Sequence, residues 1–436
     1  LIANSKEHVV ATDVYKDTIY GVTRALFQLQ VPSQPLAVAV SGGADSMCLC
    51  LLLHEWAQVN GTRVIALTVD HLLREDSTTE ALQVQKWLNA RGIEHHTLTW
   101  HKEGRPTNLQ ESARKARYAL LTDWCEGNDI HYLALAHNQD DQIETIIQRL
   151  AHQSGQAGLA GIPDLRELDK VKIIRPLLNI SKTDIIGTLH SLHQPWIEDP
   201  SNHNQTFTRV KIRNSPWMKD HRLKENLLSF RNRMAERRMA IESEAKSYCD
   251  LHLQLYQEGY CELDQEQFKN LEREVQDTIL AAILQMISGK DYPVGYESLK
   301  RLHEQLFTGH KLSCHGCLLQ AKNGRLIVCR EANNIQDATT KLDTHTVLWD
   351  QRFKITLPEE DLRVQKIGYR WLDFKENAKM MALPEAVRPT LPGIWQKERL
   401  LNVPHLAYYG SLELASECKL LFYPALHICR SRFIFS

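Results

Sequence analysis

The sequence predicts an α/β protein: a doubly wound, mostly parallel sheet over residues 1–215, a mostly helical domain over 216–334, and a small mixed α+β domain over 335–436. Three observations carry that expectation. Short apolar runs alternate with helical stretches between residues 36 and 150, as successive β-α units do. The pattern turns helical near Pro216, then becomes mixed from about residue 335. The length of 436 residues suits two or three cores better than one.

The elements follow in order. Residues 36–40 (LAVAV), after Pro35, read as a buried strand of a parallel sheet. A glycine-bearing turn leads into a buried helix over 47–56, and 63–69 (RVIALTV) form a second strand. A helix over 80–90 stops at Gly92, and a third strand covers 95–100. A long helix over 109–125 precedes a fourth strand at 132–136 (YLALA) and a helix at 140–150. From Pro216 to about Ser288, Arg, Glu, Gln and Leu dominate and strand signal is nearly absent. In the last part, 346–349 and 370–372 look like strands. There is no internal repeat and no low-complexity segment.

Composition narrows the class. Hydrophobic residues are 43% and charged residues 24%, the balance of a soluble globular protein. No apolar run approaches a membrane span. Lys6, Glu7, Asp13, Lys16 and Asp17 break up the first thirty residues, which do not read as a signal peptide. Lys plus Arg number 52 against 53 Asp plus Glu, a net charge of −1, so any polyanion-binding surface must be local. The ten cysteines are scattered, with Cys48 and Cys50 in an apolar stretch, which suits reduced thiols in the cytoplasm. The single Cys314-His315-Gly316-Cys317 lacks a second ligand pair; it reads as a turn, with zinc or redox chemistry the lesser alternative.

The chemistry concentrates at strand ends. Ser41-Gly42-Gly43-Ala44-Asp45-Ser46 lies between the first strand and its helix. Its glycines let backbone N–H groups approach an anion, and the helix start adds favourable partial charge. The lysine of a GK[ST] loop is missing, and the pattern is not GxGxxG. Asp45 would repel polyphosphate unless a cation intervened, so it is a candidate Mg²⁺ ligand, with a helix N-cap as the alternative. Asp70, ending the second strand, faces the same crevice. Arg114 and Arg117 share a helix face and suit phosphate binding; the alternative is a solvated face. His137, Asp141 and Glu144 cluster after the fourth strand, where they could hold Mg²⁺, orient an amine or take a proton; Asp140 reads as a dipole-favoured helix start. Residues 209–238 carry a local basic excess that includes Arg209, Lys211, Arg213, Arg231 and Arg233.

SGGADS after a first strand resembles the signature of the PP-loop ATP pyrophosphatases, a Rossmann-like family that cleaves ATP between its α and β phosphates. Further motifs resemble the tRNA(Ile)-lysidine synthetase branch: Val69-Asp70-His71, the ARxxRY pattern ending at Tyr118, the HxxDDQxET block from His137 to Thr145, the glycine-rich run at 154–161, Arg175-Pro176-Leu177-Leu178 and Asp199-Pro200-Ser201-Asn202. Val403-Pro404-His405-Leu406 resembles a late motif of that branch. The matching blocks span roughly 36–215. Leu72 stands where the family has glycine, His152-Gln153 where an arginine is usual, Asn204 for an acid and Val210 for an asparagine.

The resemblance implies ATP and Mg²⁺ as cofactors, with tRNA(Ile) bearing a CAU anticodon and free L-lysine as partners. A homodimer is kept as an option. It implies that Ser41 to Ser46 and Asp70 bind ATP, that Asp45 and Asp141 hold Mg²⁺, and that Asp45, Arg114, Arg117, His137, Asp141 and Glu144 carry the catalysis. Arg209, Lys211, Arg213, Arg231 and Arg233 would contact tRNA, and the C-terminal domain would take the acceptor end. A tRNA thiolase of the same superfamily is the enzymatic alternative, and it would need a reactive cysteine at the site. A non-catalytic tRNA binder is the alternative of another class.

Overall fold

The computed structural model describes residues 2–72, 77–101, 109–151, 156–168, 170–198, 212–213, 215, 218, 220–290, 292–337, 339–342, 345–357, 362–409 and 418–423. They divide into two compact units, Leu1–Arg238 and Met239–Phe435.

In chain order the first unit comprises α1 (Ile2–Gln28), β1 (Leu36–Ala39), α2 (Ala44–Val59), β2 (Val64–Asp70), α3 (Ser77–Asn89), β3 (Glu94–Thr99) and α4 (Leu109–Gly127). Then come β4 (Tyr132–Ala134), α5 (Gln139–Ala151), α6 (Gln156–Leu159), β5 (Leu165–Leu168), β6 (Val171–Ile174) and α7 (Lys182–Ser191). The strands form one sheet in the order β3-β2-β1-β4-β6-β5. All pairings are parallel except β5 with β6, an antiparallel edge.

The expected double winding is visible in the packing. Val38 of β1, Ala66 of β2 and Ala134 of β4 face a core shared with α1, α2, α3 and α7. Ala37, Leu67, Leu133 and Ile173 face the opposite core, with Leu121 and Cys125 of α4. Strands buried on both faces are near-continuously apolar, which is why LAVAV and RVIALTV could be assigned from composition alone.

The second unit begins in α8 (His221–His252), followed by β7 (Leu253–Tyr256), β8 (Tyr260–Asp264), α9 (Gln265–Lys269), α10 (Arg273–Ser288) and α11 (Tyr296–Gln305). Next are β9 (Leu312–Cys314), β10 (Cys317–Lys322), β11 (Arg325–Arg330), β12 (Thr339–Lys341), β13 (Thr346–Trp349), β14 (Phe353–Thr356) and β15 (Leu362–Lys366). The remainder is α12 (Ala378–Ala382), β16 (Pro392–Gln396), β17 (Arg399–Val403), β18 (Tyr408–Tyr409) and β19 (Lys419–Phe422). Three sheets result: β7-β8-β11-β10-β9, β12-β13-β14-β19 and β15-β16-β17-β18. Ile279, Ile283, Leu284 and Ile287 of α10 fill a core with Leu263, Leu319, Val328, Trp349 and Phe353.

Two expectations change here. The stretch up to Ser288, expected to lack strands, contains the β7–β8 hairpin, in which Tyr256 pairs with Tyr260 around Gly259 at φ +81°. Its period-2 pattern (Leu253, Leu255, then Cys261, Leu263) is short and follows a 32-residue charged helix that dominates the local composition. Residues 370–372, expected as a strand, lie in a 3₁₀ turn, Gly368–Phe374. Arg370 donates to Asp373 three residues on at 3.3 Å, closing the turn, and the Arg388 guanidinium lies 5.2 Å from the Trp371 ring. Cys314 and Cys317 flank a two-residue hairpin turn with His315 at φ +55° and Gly316 at φ +80°, the twist that joins adjacent antiparallel strands.

A buried ion cluster ties the second unit together. Asp350 accepts from Arg330 Nε and Nη2, both at 3.1 Å, and from Arg352 Nε at 2.8 Å. Arg330 also donates to the Gly316 and Asn334 carbonyls at 2.7 Å, and Arg352 to the Gly259 carbonyl at 3.2 Å. Removing the shared acid would leave two buried guanidiniums without a counter-charge. Asp350→Ala is expected to destabilise this unit by about 3–5 kcal/mol in chemical denaturation; a loss under about 1 kcal/mol, the scale of an exposed pair, would mean that water compensates the cluster.

Candidate active site

The site lies where the winding of the sheet reverses. From β1 the chain builds outward through β2 and β3, then α4 crosses the opposite face to place β4 on the other side of β1. Val38 pairs with Ala134, so the segments leaving β1 and β4 emerge side by side at the carboxyl edge. Such a switch point is the usual ligand crevice of an open α/β sheet.

The phosphate loop closes on itself through Ser46. Ser41 N–H donates to Ser46 Oγ at 3.1 Å, and Ser46 Oγ donates to the Gly43 carbonyl at 2.9 Å. Gly42 sits at φ +85°, and a Cβ there would lie 2.8 Å from both Ile197 Cδ1 and Val84 Cγ2. The backbone therefore demands glycine for conformation and for space. Ile197 N–H holds the Gly42 carbonyl at 2.9 Å, fixing the turn.

Asp45 is the hub. Lys182 Nζ donates to both its carboxylate oxygens, at 2.8 and 2.9 Å, and Asn138 Nδ2 donates at 2.9 Å. Asp45 stands in the first turn of α2, Asn138 caps α5, and Lys182 is the first residue of α7. Three helix starts thus lie within side-chain reach of one carboxylate, and each adds positive potential. Gln139 N–H donates to the Ile180 carbonyl at 3.0 Å, joining two of those starts directly. Lys182 and Asn138 were not among the expected site residues. Neither has a recognisable spacing to Asp45, and only the sheet order brings them there.

The acid cluster is also paired. Asp141 Oδ2 accepts from Asn138 N–H at 3.0 Å while Asn138 Oδ1 accepts from Asp141 N–H at 3.1 Å, a reciprocal capping box. Asp141 Oδ1 accepts from Arg213 Nη2 at 3.2 Å, and Arg213 Nε donates to the fully buried Glu144. Burial disfavours the Arg213 charge, but Glu144, Asp141 and Asp45 outweigh it and raise its pKa. His137, half-buried, precedes the cap. Asp141 and Glu144 come together on Arg213, which was expected on a tRNA surface and lies against the two acids instead. Asp140, expected to serve only the helix dipole, also accepts from Lys224 at 3.0 Å.

Asp70 is buried and engaged by its own loop: Leu72 N–H at 3.0 Å, Ser77 Oγ at 2.7 Å and Thr78 Oγ1 at 2.8 Å. It builds the crevice wall by starting α3. Leu72 adopts φ +51°, the left-handed conformation that the family's glycine would take easily, so the departure in sequence preserves a glycine-like backbone. The neighbouring His71 ring stands edge-on to Trp100 at 5.8 Å. Burial, and then Arg117, hold the His71 pKa below its usual value. Arg114 and Arg117 flank the Tyr118 ring, 5.4 and 5.8 Å from its centroid.

The expected tRNA contacts separate. Arg209 and Lys211 lie outside the described residues. Arg233 is exposed on α8. Arg231 is 5% exposed and donates to Asp164 at 2.9 Å and to the Ile162 carbonyl at 3.1 Å. It is corrected from a surface contact to an internal anchor, because a guanidinium already paired and desolvated has little left to offer RNA. Charge counting along the sequence could not see Asp164 as its partner.

A divalent cation fits this donor set in one way. Asp45 already receives a cationic ammonium on both oxygens, so the position suits positive charge. Asp141 is committed to Asn138 and Arg213. Among the described residues no group of three or more His, Cys, Asp or Glu could hold a metal. A Mg²⁺ ion here would take Asp45 and complete its shell from phosphate oxygens and water.

Asp70 supplies a pH test. Burial alone would raise its pKa, but the three hydrogen bonds outweigh it and the pKa falls below 3.8. A depressed carboxylate stabilises the fold above its unfolded pKa and loses that contribution as pH falls through the folded value. Asp70→Ala is expected to lower the thermal midpoint at pH 7, with the gap to wild type narrowing below pH 3.8. A gap independent of pH would assign the loss to packing.

Residues 18–217 match the PP-loop domain family. Over 421 residues the chain is 30% identical to the tRNA(Ile)-lysidine synthase of Orientia tsutsugamushi (strain Boryong), covering 90% of this chain and 93% of that protein. It is 34% identical over 332 residues to the tRNA(Ile)-lysidine synthase of Wolbachia pipientis wMel, covering 74% and 77%. A solved structure of the U34-tRNA thiolase NcsA from Methanococcus maripaludis, with its [4Fe-4S] cluster, is 20% identical with a TM-score of 0.45, covering 52% of this chain and 80% of that one. With the SGGADS loop and the capped acid block meeting at one switch point, and with the Orientia relative matched over 93% of its length, the chain belongs to the tRNA(Ile)-lysidine synthase family.

Proposed function

We propose that this chain is an ATP-dependent carbon–nitrogen ligase that forms lysidine on tRNA(Ile). The C2 oxygen of the wobble cytidine in a CAU anticodon attacks the α-phosphate of ATP. The α–β phosphoanhydride bond breaks and pyrophosphate leaves. The ε-amine of free L-lysine then attacks C2, the C2–O bond breaks, AMP leaves, and the amine loses a proton. One observation carries the reading: Asp45 of the glycine loop and Asn138 of the acid block are bonded to each other, so nucleotide and amine chemistry share one crevice.

Each residue has a role in this scheme. The Ser41 to Ser46 turn cradles phosphate oxygens, with the starts of α2, α5 and α7 and the Lys182 ammonium adding positive potential. Mg²⁺, when bound, supplies further neutralisation of the phosphates, and Asp45 would hold it. Arg114 and Arg117 offset charge developing on the transferred group. Asp141 and Glu144 hold the lysine α-ammonium where the Arg213 guanidinium now lies, exchanging one cation for another. His137 takes the proton from the attacking amine. The exposed Arg233, together with Arg209 and Lys211, offers phosphate contacts to the tRNA, and the C-terminal unit takes the acceptor end.

Free thiols, most of them buried, suit action in the cytoplasm. The same burial disfavours a thiolase: Cys48 beside the loop is buried, and burial, with Asp45 nearby, pushes its pKa up to about 12.

Incubation with ATP, labelled lysine and a tRNA(Ile) transcript is expected to place label in the RNA and release AMP and pyrophosphate, with no sulfur donor. Sulfur-dependent modification would favour the thiolase, and no AMP at all would favour a binder. Asp45→Ala is expected to lower AMP release by about 10²–10³-fold while tRNA binding survives. Wild-type turnover in that variant would remove Asp45 from the mechanism.

A further inference from the structure

A second cationic feature lies on the α4 face of the same sheet edge. Arg114, Arg117 and Tyr118 occupy one face of α4 at helical spacing. Across from them, Arg166 of β5 pairs with Ile173, and Arg175 N–H donates to the Asp164 carbonyl at 3.0 Å. This register puts the Arg166 and Arg175 side chains on the same side of the sheet as Ile173, which packs into the α4 core. Arg175 lies against the Tyr118 hydroxyl. The two rows of arginine therefore meet at one aromatic ring.

No acid pairs with this cluster among the described residues. Among the described residues, none of the four guanidiniums forms an ion pair. Arg175 is 5% exposed and gives one hydrogen bond to the Pro163 carbonyl at 2.8 Å. The Nε atoms of Arg166 and Arg175 are both buried without a hydrogen-bond partner. By contrast Arg231, equally buried at 5% exposed, is compensated by Asp164. Several desolvated positive charges with unused donors are costly unless an anion completes them. Burial and mutual repulsion also depress the pKa values of Arg117, Arg166 and Arg175, as expected for cations lacking a counter-charge.

We infer that Arg114, Arg117, Arg166 and Arg175 form one phosphate-binding subsite organised by the Tyr118 ring, separate from the Ser41 to Ser46 loop. Arg175 forms its floor, Arg117 and Arg166 its half-buried walls and Arg114 its exposed rim. Forked guanidiniums match the tetrahedral oxygens of a phosphate better than ammonium groups do. The ligand is a phosphate group, either of the RNA backbone or of the nucleotide. The subsite itself stands on this geometry; only the choice between those sources rests on the proposed function.

Arg166→Gln tests it, with Arg166→Lys as the charge-restoring control and circular dichroism to confirm folding. Two bindings are read: a tRNA(Ile) transcript by filter binding across a KCl series, and ATP by calorimetry. An RNA phosphate predicts about tenfold weaker tRNA binding, a log–log salt slope smaller by roughly one, and substantial recovery with lysine. A nucleotide phosphate predicts a similar loss for ATP with the tRNA salt slope unchanged. A folded Arg166→Gln protein with both affinities and the slope at wild-type values overturns the inference. Neither binding measurement requires lysine incorporation, so failure of the wild type to make lysidine would overturn the proposed function and leave this subsite standing.

Discussion

The carboxylate of Asp45 is the constraint around which the catalytic unit is organised. It accepts from Lys182 at the start of α7 and from Asn138 at the start of α5 while belonging to the first turn of α2. A lone carboxylate would be a poor choice beside polyphosphate. Flanked by an ammonium and three helix starts, it becomes one negative element in a positive field. The same bonds do mechanical work, because Asn138 reaches Asp45 with its amide nitrogen while its amide oxygen caps α5. The position of the acid block relative to the glycine loop is therefore set by the residues that would handle the chemistry.

That arrangement depends on strand order. β1 and β4 are neighbours only because α4 crosses the face opposite α2 and α3. The crevice then has two walls of different character. Around Asp45, every acid has a cationic partner: Asp45 has Lys182, Asp140 has Lys224, and Asp141 and Glu144 share Arg213. On the α4 side arginines gather around Tyr118, and among the described residues none of them forms an ion pair. The first wall is self-compensated, as where Arg213 covers Asp141 and Glu144. The second is complete only with an anion present. Under the proposed function, this contrast would let one sheet edge handle both an ammonium-bearing substrate and phosphate groups.

Much of this was legible in the chain. Strands buried on both faces announce themselves as apolar runs, and a loop that must approach phosphate needs glycine, so 36–46 could be read directly. Asp141 and Glu144 lie one helical turn apart, and local spacing sufficed to group them. What escaped was long-range. Lys182 is 137 residues from Asp45 and sits in an ordinary helix start. Arg231 looked like surface charge because its partner, Asp164, is 67 residues away. Arg213 was placed with the basic run around it, though its acids lie on α5. The β7–β8 hairpin was hidden by the composition of the helix before it. In each case the local pattern was correct as a pattern, and a tertiary partner decided its meaning.

A crystal structure with a non-hydrolysable ATP analogue bridged between the α and β phosphorus atoms tests the central claim most directly. The account predicts phosphate oxygens within hydrogen-bonding distance of the Ser41 to Ser46 backbone, with the Lys182 ammonium and Asn138 at the same cluster. A triphosphate bound at the other edge of the sheet, touching neither the glycine turn nor the start of α5, would contradict it.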